Sequence, residues 1–357
     1  MRAAKRPKIL FLANWPRTTR EPERFAFFAH WRSRPLVRFF GTFALGPVTR
    51  FEKQTLRFYL LQPLAALFLA PFYDAVVAFS SQSGLPFALL LRLCFWMRTR
   101  LIVFDVESFG RAERGVKLAL TRFAARRIDW VVYAASGQAA YYDRHFPFLA
   151  ARRSFVPIGI GGYEKRQPDD AGRDGPVVVP GKHGAAFRDW ATFLRAAATI
   201  GDAVEFVIVG RDELPAAERD GVPIPPNVRL LPYVPLDRLQ EILETARFVV
   251  LPLPDRAQSL GQLTILFAMA MGRAVVAART VGVRDYLREG ETGLGYRPGD
   301  AAELADCLRR MLADPDRTIA WGRRARELYR EEFGDERMGR RWEEIYCRVV
   351  GRTPPAD

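Results

Sequence analysis

Residues 248–297 read FVVLPLPDRAQSLGQLTILFAMAMGRAVVAARTVGVRDYLREGETGLGYR. The unbroken apolar run from Phe248 to Pro254 is what a parallel strand buried on both faces looks like. A polar loop, Asp255 to Gln258, precedes Ser259 and Gly261. An apolar-periodic segment then predicts a helix with Leu260, Leu263, Phe267 and Ala270 on one face and Gly272 as its stop. A second buried strand, Ala274 to Ala278, follows, then a Gly-containing loop and a short helix from Arg284. This is a strand–loop–helix–strand unit whose loop opens onto a helix N-terminus, where unpaired N–H groups and a partial positive charge suit a phosphate. Most helix N-termini in α/β proteins bind nothing, so the pattern alone leaves both readings open.

The same alternation runs outward in both directions. Upstream lie strand Val177 to Val179, helix Asp189 to Ile200, strands Glu205 to Val209 and Val228 to Leu231, and helix Leu236 to Ala246. Residues 161–176, GGYEKRQPDDAGRDGP, are rich in Gly, Pro and charge and have no apolar period, which marks a domain boundary. Before it the alternation appears again: strand Lys8 to Ala13, an aromatic helix from Phe25 to Trp31, strand Leu36 to Phe43, helical sequence to Ala70, and strand Ala75 to Phe79. Helix Leu85 to Met97, strand Leu101 to Phe104, helix Val116 to Arg127, and strands Trp130 to Tyr133 and Phe155 to Ile158 complete the first half. Regular β–α alternation indicates doubly wound parallel sheets. The expected division is an N-terminal domain over 1–162, a linker over 163–176, a second domain over 177–335, and a last helix in 336–357 returning to the first domain.

The chain has 357 residues, 49% hydrophobic and 26% charged, which suits two soluble domains. Its charge is uneven: through Lys165 there are 26 Lys and Arg against 10 Asp and Glu, a net of +16, whereas the remainder nets −2. Such asymmetry points to an anionic partner of the first half, either nucleic acid or an anionic membrane surface. Cys94, Cys307 and Cys347 lack metal-ligand spacing and are odd in number, which fits a reducing compartment; with His30, His145 and His183 scattered, no metal is expected. The basic start and apolar stretch of residues 1–16 are too soon interrupted by Asn14 and Pro16 for a signal peptide. The most apolar window, 58–79, is broken by Pro63, Pro71 and Asp74, short of the roughly 20 unbroken residues of a membrane span. Residues 51–73, FEKQTLRFYLLQPLAALFLAPFY, mix Lys53 and Arg57 with aromatic side chains and suit an interfacial helix on anionic lipid as well as an ordinary core helix.

The run SLGQLTILFAMAMGRAVVA with VRDYLREGETGLGYRPGD resembles the donor-binding core of GT-B glycosyltransferases of the retaining family-4 type. The resembling pieces are Ala268-Met269-Ala270, Gly272, Val275-Val276 and the turn Glu289 to Gly293. Two family glutamates, eight positions apart, are replaced here by Ser259 and Phe267, and the second of these would hold a ribose. Gln262 and Thr264 are the polar residues nearest to take over, with Gly261 and Leu263 in the same turn. The segment VVVPGKHGAAFRDWATFLRAA resembles the opening of the family's donor domain. There Gly181 ends a strand, Lys182 stands for the family's Arg, and Arg188 falls near its Lys. The resemblance gives both cations the task of neutralising the diphosphate as the leaving group charges. It also sets the base against the loop at Tyr233 and Val234.

In the first half, Asp105 and Glu107 follow a strand aimed at the cleft expected between the domains. They would orient or deprotonate an acceptor hydroxyl, or Asp105 would simply cap a helix. Asn14, Arg17 and the Ser80–Gly84 stretch, Ser81 included, end strands on the same edge and are candidates for the acceptor side. The family's catalytic histidine has no counterpart, and His30 reads as a packed side chain.

The resemblance therefore implies an α/β fold of two Rossmann-like doubly wound domains, GT-B, with the nucleotide-sugar cleft between them. It implies sugar transfer from a nucleotide-diphosphate donor to a glycan or lipid-linked acceptor in cell-surface polysaccharide or glycolipid synthesis. No cofactor or metal and no nucleic-acid partner is expected, and the expected location is cytoplasmic, peripheral on the inner face of the membrane. Three rivals stand beside it: a nucleotide-sugar epimerase, a non-catalytic GT-B-like partner protein binding glycan or membrane, and a nucleic-acid binder. The scarcity of His and carboxylates counts against the first, loss of both glutamates favours the second, and the absence of a recognised module counts against the third.

Overall fold

The computed structural model describes residues 6–16, 28–43, 46–56, 58–161, 172–181, 187–255 and 260–354. They form two α/β units, one of Met1–Gly159 with Asp335–Asp357, the other of Ile160–Gly334.

The first unit holds β1 (Lys8–Pro16), β2 (Leu36–Thr42), α1 (Gly46–Phe51), α2 (Leu61–Leu69), β3 (Ala75–Ala78), α3 (Ser81–Leu93), β4 (Arg100–Asp105), α4 (Gly115–Ala125), β5 (Trp130–Tyr133), α5 (Ala139–His145) and β6 (Arg153–Phe155). Its six strands are all parallel, in the order β2-β1-β3-β4-β5-β6. Alternate residues of β1, β3, β4 and β5 enter opposite cores, which is why these strands read as continuous apolar runs. Leu10, Val76, Leu101 and Val131 meet Ala66, Phe87 and Leu118 from α2, α3 and α4. Phe11, Val77, Ile102 and Val132 lie in the second core with Trp31, Trp342 and Tyr346.

Two buried polar side chains fasten this unit. Gln62 donates to Ala13 O at 2.7 Å and Phe40 O at 2.6 Å, and accepts from Ser83 Oγ at 2.6 Å. Glu52 accepts from the Leu60 and Leu61 N–H groups at 2.7 and 3.0 Å, satisfying donors that the start of α2 leaves open.

The second unit holds β7 (Val177–Pro180), α6 (Trp190–Ala198), β8 (Phe206–Val209), β9 (Val228–Leu231), α7 (Leu236–Thr245), β10 (Val249–Leu251), α8 (Gln262–Ala270), β11 (Val275–Ala278), β12 (Gly293–Tyr296), α9 (Ala301–Ala313) and α10 (Pro315–Leu328). Its sheet is again six parallel strands, ordered β12-β11-β10-β7-β8-β9. Asp189, Asp300 and Asp314 cap α6, α9 and α10 by accepting from the N–H three residues on. The chain ends in α11 (Asp335–Val350), which belongs to the first unit and packs Met338, Trp342 and Tyr346 into its second core.

Three expectations are corrected. Helix α3 begins at Ser81, not Leu85, so the polar run Ser81 to Gly84 is helical. Pro86 cannot donate to Gln82 O, and the Tyr59 N–H takes that acceptor at 3.0 Å. Residues 281–286 form successive turns, not a short helix, with Val283 N and Tyr286 N bonded three residues back at 3.1 and 3.0 Å. The buried side of α8 carries Gln262, Ile265, Leu266 and Met269, whereas Leu263 is half exposed. Every position from Leu263 to Ala270 except Thr264 is apolar, so the sequence carries no contrast to tell the faces apart.

Candidate donor and acceptor sites

Parallel sheets bind ligands outside the carboxyl ends of their strands, where the strand order reverses. In the second unit that point lies between β7 and β10. The Asp189 N–H joins the two sides by donating to Pro252 O at 3.0 Å. Gly181 ends β7, and a Cβ there would collide with the Trp190 indole, so the approach of α6 to the strand requires glycine.

Arg188 is the dominant feature of this edge. Only 5% of its surface is exposed, yet its guanidinium meets neutral acceptors only: Nε donates to Pro180 O at 3.0 Å, Nη1 to Phe187 O at 2.9 Å, and Nη2 to Thr264 Oγ1 at 3.4 Å. Among the described residues no carboxylate pairs with it. Burial pulls its pKa down to about 10. A buried charge held by carbonyls and a hydroxyl alone is costly, and an anion placed beside it would relieve that cost.

The other wall is the start of α8. Gly261 has φ +89°, and a Cβ there would stand 2.8 Å from Leu251 Cδ2 and 2.9 Å from Leu253 Cδ1. The left-handed turn thus sets α8 directly against the end of β10, and the first turn of a helix has N–H groups without intrahelical acceptors. Gln262 is buried and Thr264 half-buried beside Arg188, whereas Leu263 points to solvent. Lys182 and Ser259 lie outside the described residues. Tyr233, 64% exposed, and half-buried Val234 follow β9, two strands from β7. Two polar atoms missed by the sequence reading sit nearby in the fold: Thr280 Oγ1, just after β11, and Tyr296 Oη, at the end of β12, are buried without a hydrogen-bond partner among the described residues. Their only sequence signal is position, a hydroxyl at the carboxyl end of an apolar run.

In the first unit the strand order reverses between β1 and β3. Exposed Asn14 lies near the end of β1, and its carbonyl accepts from Tyr59 Oη at 3.3 Å. Burial, then the charges of Glu52 and Glu107, raise the Tyr59 pKa, so Asn14, Tyr59 and Glu107 share one neighbourhood. Arg17 lies outside the described residues.

Asp105 requires a correction. It is fully buried, and its oxygens accept from Glu107 N at 3.0 Å, Phe109 N at 2.7 Å, the Tyr142 hydroxyl and Ser81. Burial raises its pKa, opposed by those hydrogen bonds. With both oxygens occupied it positions backbone and does not reach an acceptor. Ser81, in the first turn of α3, is buried against it for the same reason.

What Asp105 holds is an unusual turn. Ser108, Phe109, Gly110 and Arg111 all have positive φ, 51°, 51°, 62° and 53°. Such conformations cost non-glycine residues about 1 kcal/mol or more each and persist only when surroundings enforce them. Gln138 contributes by donating to Asp105 O at 3.1 Å and Ser108 Oγ at 3.3 Å, and Phe109 packs edge-on to Tyr142 and Phe146. Glu107, half-buried, lies just past the strand end. His30 lies 3.0 Å from Asp335 in the first unit.

Comparison with known proteins bears on the second unit and on the fold. Residues 177–314 match the family model described as glycosyl transferases group 1. The chain is 34% identical over 122 residues to alpha-maltose-1-phosphate synthase of Mycolicibacterium smegmatis, covering 32% of this chain and 31% of that protein. It is 36% identical over 99 residues to D-inositol 3-phosphate glycosyltransferase of Nocardia farcinica, covering 28% and 21%. The chain thus spans about a third or less of the length of these curated relatives. Among solved structures, Anabaena HepE in complex with UDP superposes with a TM-score of 0.72 at 19% identity, covering 96% of this chain and 100% of that one. Sucrose-phosphate synthase from Thermosynechococcus elongatus gives 0.73 at 18%, covering 97% and 100%. These likenesses show the fold, two Rossmann-like units of the GT-B class.

Proposed function

We propose, for a chain of GT-B fold whose residues 177–314 match the glycosyl transferases group 1 family, that it moves a sugar from a nucleotide-diphosphate donor to a saccharide or lipid-linked acceptor. The observation carrying this reading is Arg188, a buried guanidinium beside the start of α8 with no carboxylate partner among the described residues. A diphosphate there would accept from Arg188 and from the first N–H groups of α8, with Lys182 as a second cation. As the bond between the sugar carbon and the diphosphate oxygen breaks, negative charge builds on that oxygen, and fixed cations stabilise it more than they stabilise the ground state.

The acceptor would bind the first unit near Asn14, Tyr59 and Glu107. Glu107 would orient the acceptor hydroxyl or take its proton, with Asp105 holding the turn that presents it. The family resemblance supports a retaining outcome and a role in cell-surface polysaccharide or glycolipid synthesis as part of this reading. The UDP of the HepE complex makes UDP the first nucleotide to test.

A second reading, a GT-B protein that binds nucleotide or glycan without turnover, is favoured by Phe267, which cannot accept from a ribose hydroxyl. Incubation with UDP-, GDP-, ADP- and TDP-sugars, following nucleoside diphosphate release with and without saccharide acceptors, separates the two. Acceptor-dependent release with one donor supports transfer. Tight nucleotide binding without release from any donor favours the second reading.

A further inference from the structure

The first unit presents a large apolar surface on its helical layer. Helix α3 lies between α2 and α4, and all three cover the same face of the sheet. On the outward side of α2 and its flanking residues, Leu60, Leu64, Phe68 and Phe72 recur every fourth residue, Phe68 and Phe72 being 74% and 72% exposed. On α4 the outward row is Val116, Leu120 and Phe123, all exposed. Between them, at the end of α3, Phe95 and Trp96 are 82% and 68% exposed and pack edge-on at 5.4 Å.

This aromatic pair is held out by design of the turn beneath it. The Met97 N–H closes the turn on Cys94 O at 2.9 Å. Arg127 donates to Met97 O at 3.0 Å and Thr99 O at 2.8 Å, and is itself pinned by Asp129 at 3.2 Å. Rigid presentation of two large rings to water is unfavourable unless something covers them.

The segment that carries the patch is strongly basic. Over residues 58–127, all of them described, the exposed acidic residue is Glu113, against seven exposed basic residues, Arg98, Arg100, Arg111, Arg114, Lys117, Arg122 and Arg126. Arg92 stacks on Phe123 with its guanidinium 4.5 Å from the ring centre, putting charge and apolar surface side by side. Aromatic wedges rimmed by Arg and Lys match the boundary between acyl chains and anionic headgroups; a self-associating face carrying this much like charge would repel its copy. No described helix is long and apolar enough to cross a membrane, so the contact is with the surface.

We propose that the α2–α3–α4 face of the first unit is a docking surface for an anionic lipid bilayer, with Phe95 and Trp96 entering the interface and Phe68 and Phe72 beside them. Within the segment 51–73 this puts the contact at Leu60, Leu64, Phe68 and Phe72, and it adds Phe95 and Trp96 at the end of α3: Tyr59 is buried and Phe58 half-buried, and the side chains of Lys53 and Arg57 lie outside the described residues. The inference does not depend on the sugar-transfer reading, and its test uses no donor.

The experiment is co-sedimentation of the full chain with vesicles of phosphatidylcholine alone and of phosphatidylcholine containing phosphatidylglycerol. The parent is expected on the anionic vesicles and less on the neutral ones. The double variant Phe95→Ser/Trp96→Ser should bind them about tenfold more weakly, as apolar insertion is lost, with Phe68→Ser intermediate. Leu236→Ser, an exposed change on α7, should bind as the parent does; thermal melts establish that each variant is folded. Parent protein that stays in solution with anionic vesicles, or a folded double variant that binds as well as the parent, would overturn the proposal. So would a dimer of the parent that the double variant converts to monomer, because the face would then belong to a second copy.

Discussion

Arg188 Nη2 reaches Thr264 Oγ1 across 3.4 Å, tying the loop after β7 to the first turn of α8. The contact brings a buried cation and a helix N-terminus to one point, the reversal of strand order in the second sheet. That arrangement is poor for stability on its own and suited to an anion.

Replacing Arg188 separates those two consequences. Arg188→Met removes a charge whose pKa burial has pulled down to about 10, so the ligand-free protein should gain about 1–2 kcal/mol. The sign follows from linkage: the folded pKa lies below the unfolded one, so the charged form is disfavoured by folding throughout neutral pH. Nucleoside diphosphate affinity should fall by about 100-fold in the same variant. Chemical denaturation and nucleotide titration measure the two effects; a destabilised variant with intact binding would contradict both.

Gly261→Ala tests the turn that seats α8. Its φ of +89° disfavours a side chain, and the new Cβ would press on Leu251 and Leu253, so a loss of about 1–2 kcal/mol is expected. Gly290→Ala, at φ +74° with open space around it, should cost less, about 1 kcal/mol. Denaturation midpoints of the pair read the difference, which is the close-packing component.

Tyr142→Phe removes one of the two hydroxyl donors to the buried Asp105 carboxyl and should cost about 1–3 kcal/mol. Asp105→Asn should destabilise too, because the amide NH2 would face a backbone donor. The pH dependence has a definite sign. Asp105 has a folded pKa above its ordinary 3.8, so its favourable contribution is complete below that value and is lost as pH rises through the folded pKa. The stability gap between parent and Asp105→Asn should therefore narrow from about pH 4 upward, as denaturation at a series of pH values would record.

Glu107→Gln addresses the acceptor side. If Glu107 handles the acceptor hydroxyl, turnover should drop by about 10- to 100-fold while nucleotide affinity stays at the parent value. Steady-state kinetics with titration of the same preparation separates this from a donor-side defect, which would lower both.

Most strands of both sheets were legible in the sequence because they are buried on two faces and read as apolar runs, Ala75–Ala78 and Val275–Ala278 among them, whereas β12, Gly-Leu-Gly-Tyr, was missed and β6 lies at Arg153–Phe155 rather than Phe155 to Ile158. The start of α6 was legible at Asp189, a short acceptor before an apolar period, and in the structure Asp189 caps that helix. The start of α3 was not, because Ser81, Gln82 and Ser83 look like loop, and the contacts that make them helix come from Tyr59, Gln62 and Asp105, distant in sequence. The role of Asp105 was hidden likewise: sequence shows a carboxylate after a strand, whereas Tyr142 and the left-handed turn that consume it emerge only on folding. Arg188 was found through its family position, but its burial without a carboxylate partner among the described residues emerges only on folding.

The central claim is that Arg188 serves a diphosphate. Calorimetric titration of the parent and of Arg188→Ala with UDP, GDP, ADP and TDP tests it most directly. The parent should bind one of the four, and the folded variant should lose that binding. A parent that binds none, or a variant that binds as tightly as the parent, would contradict the account.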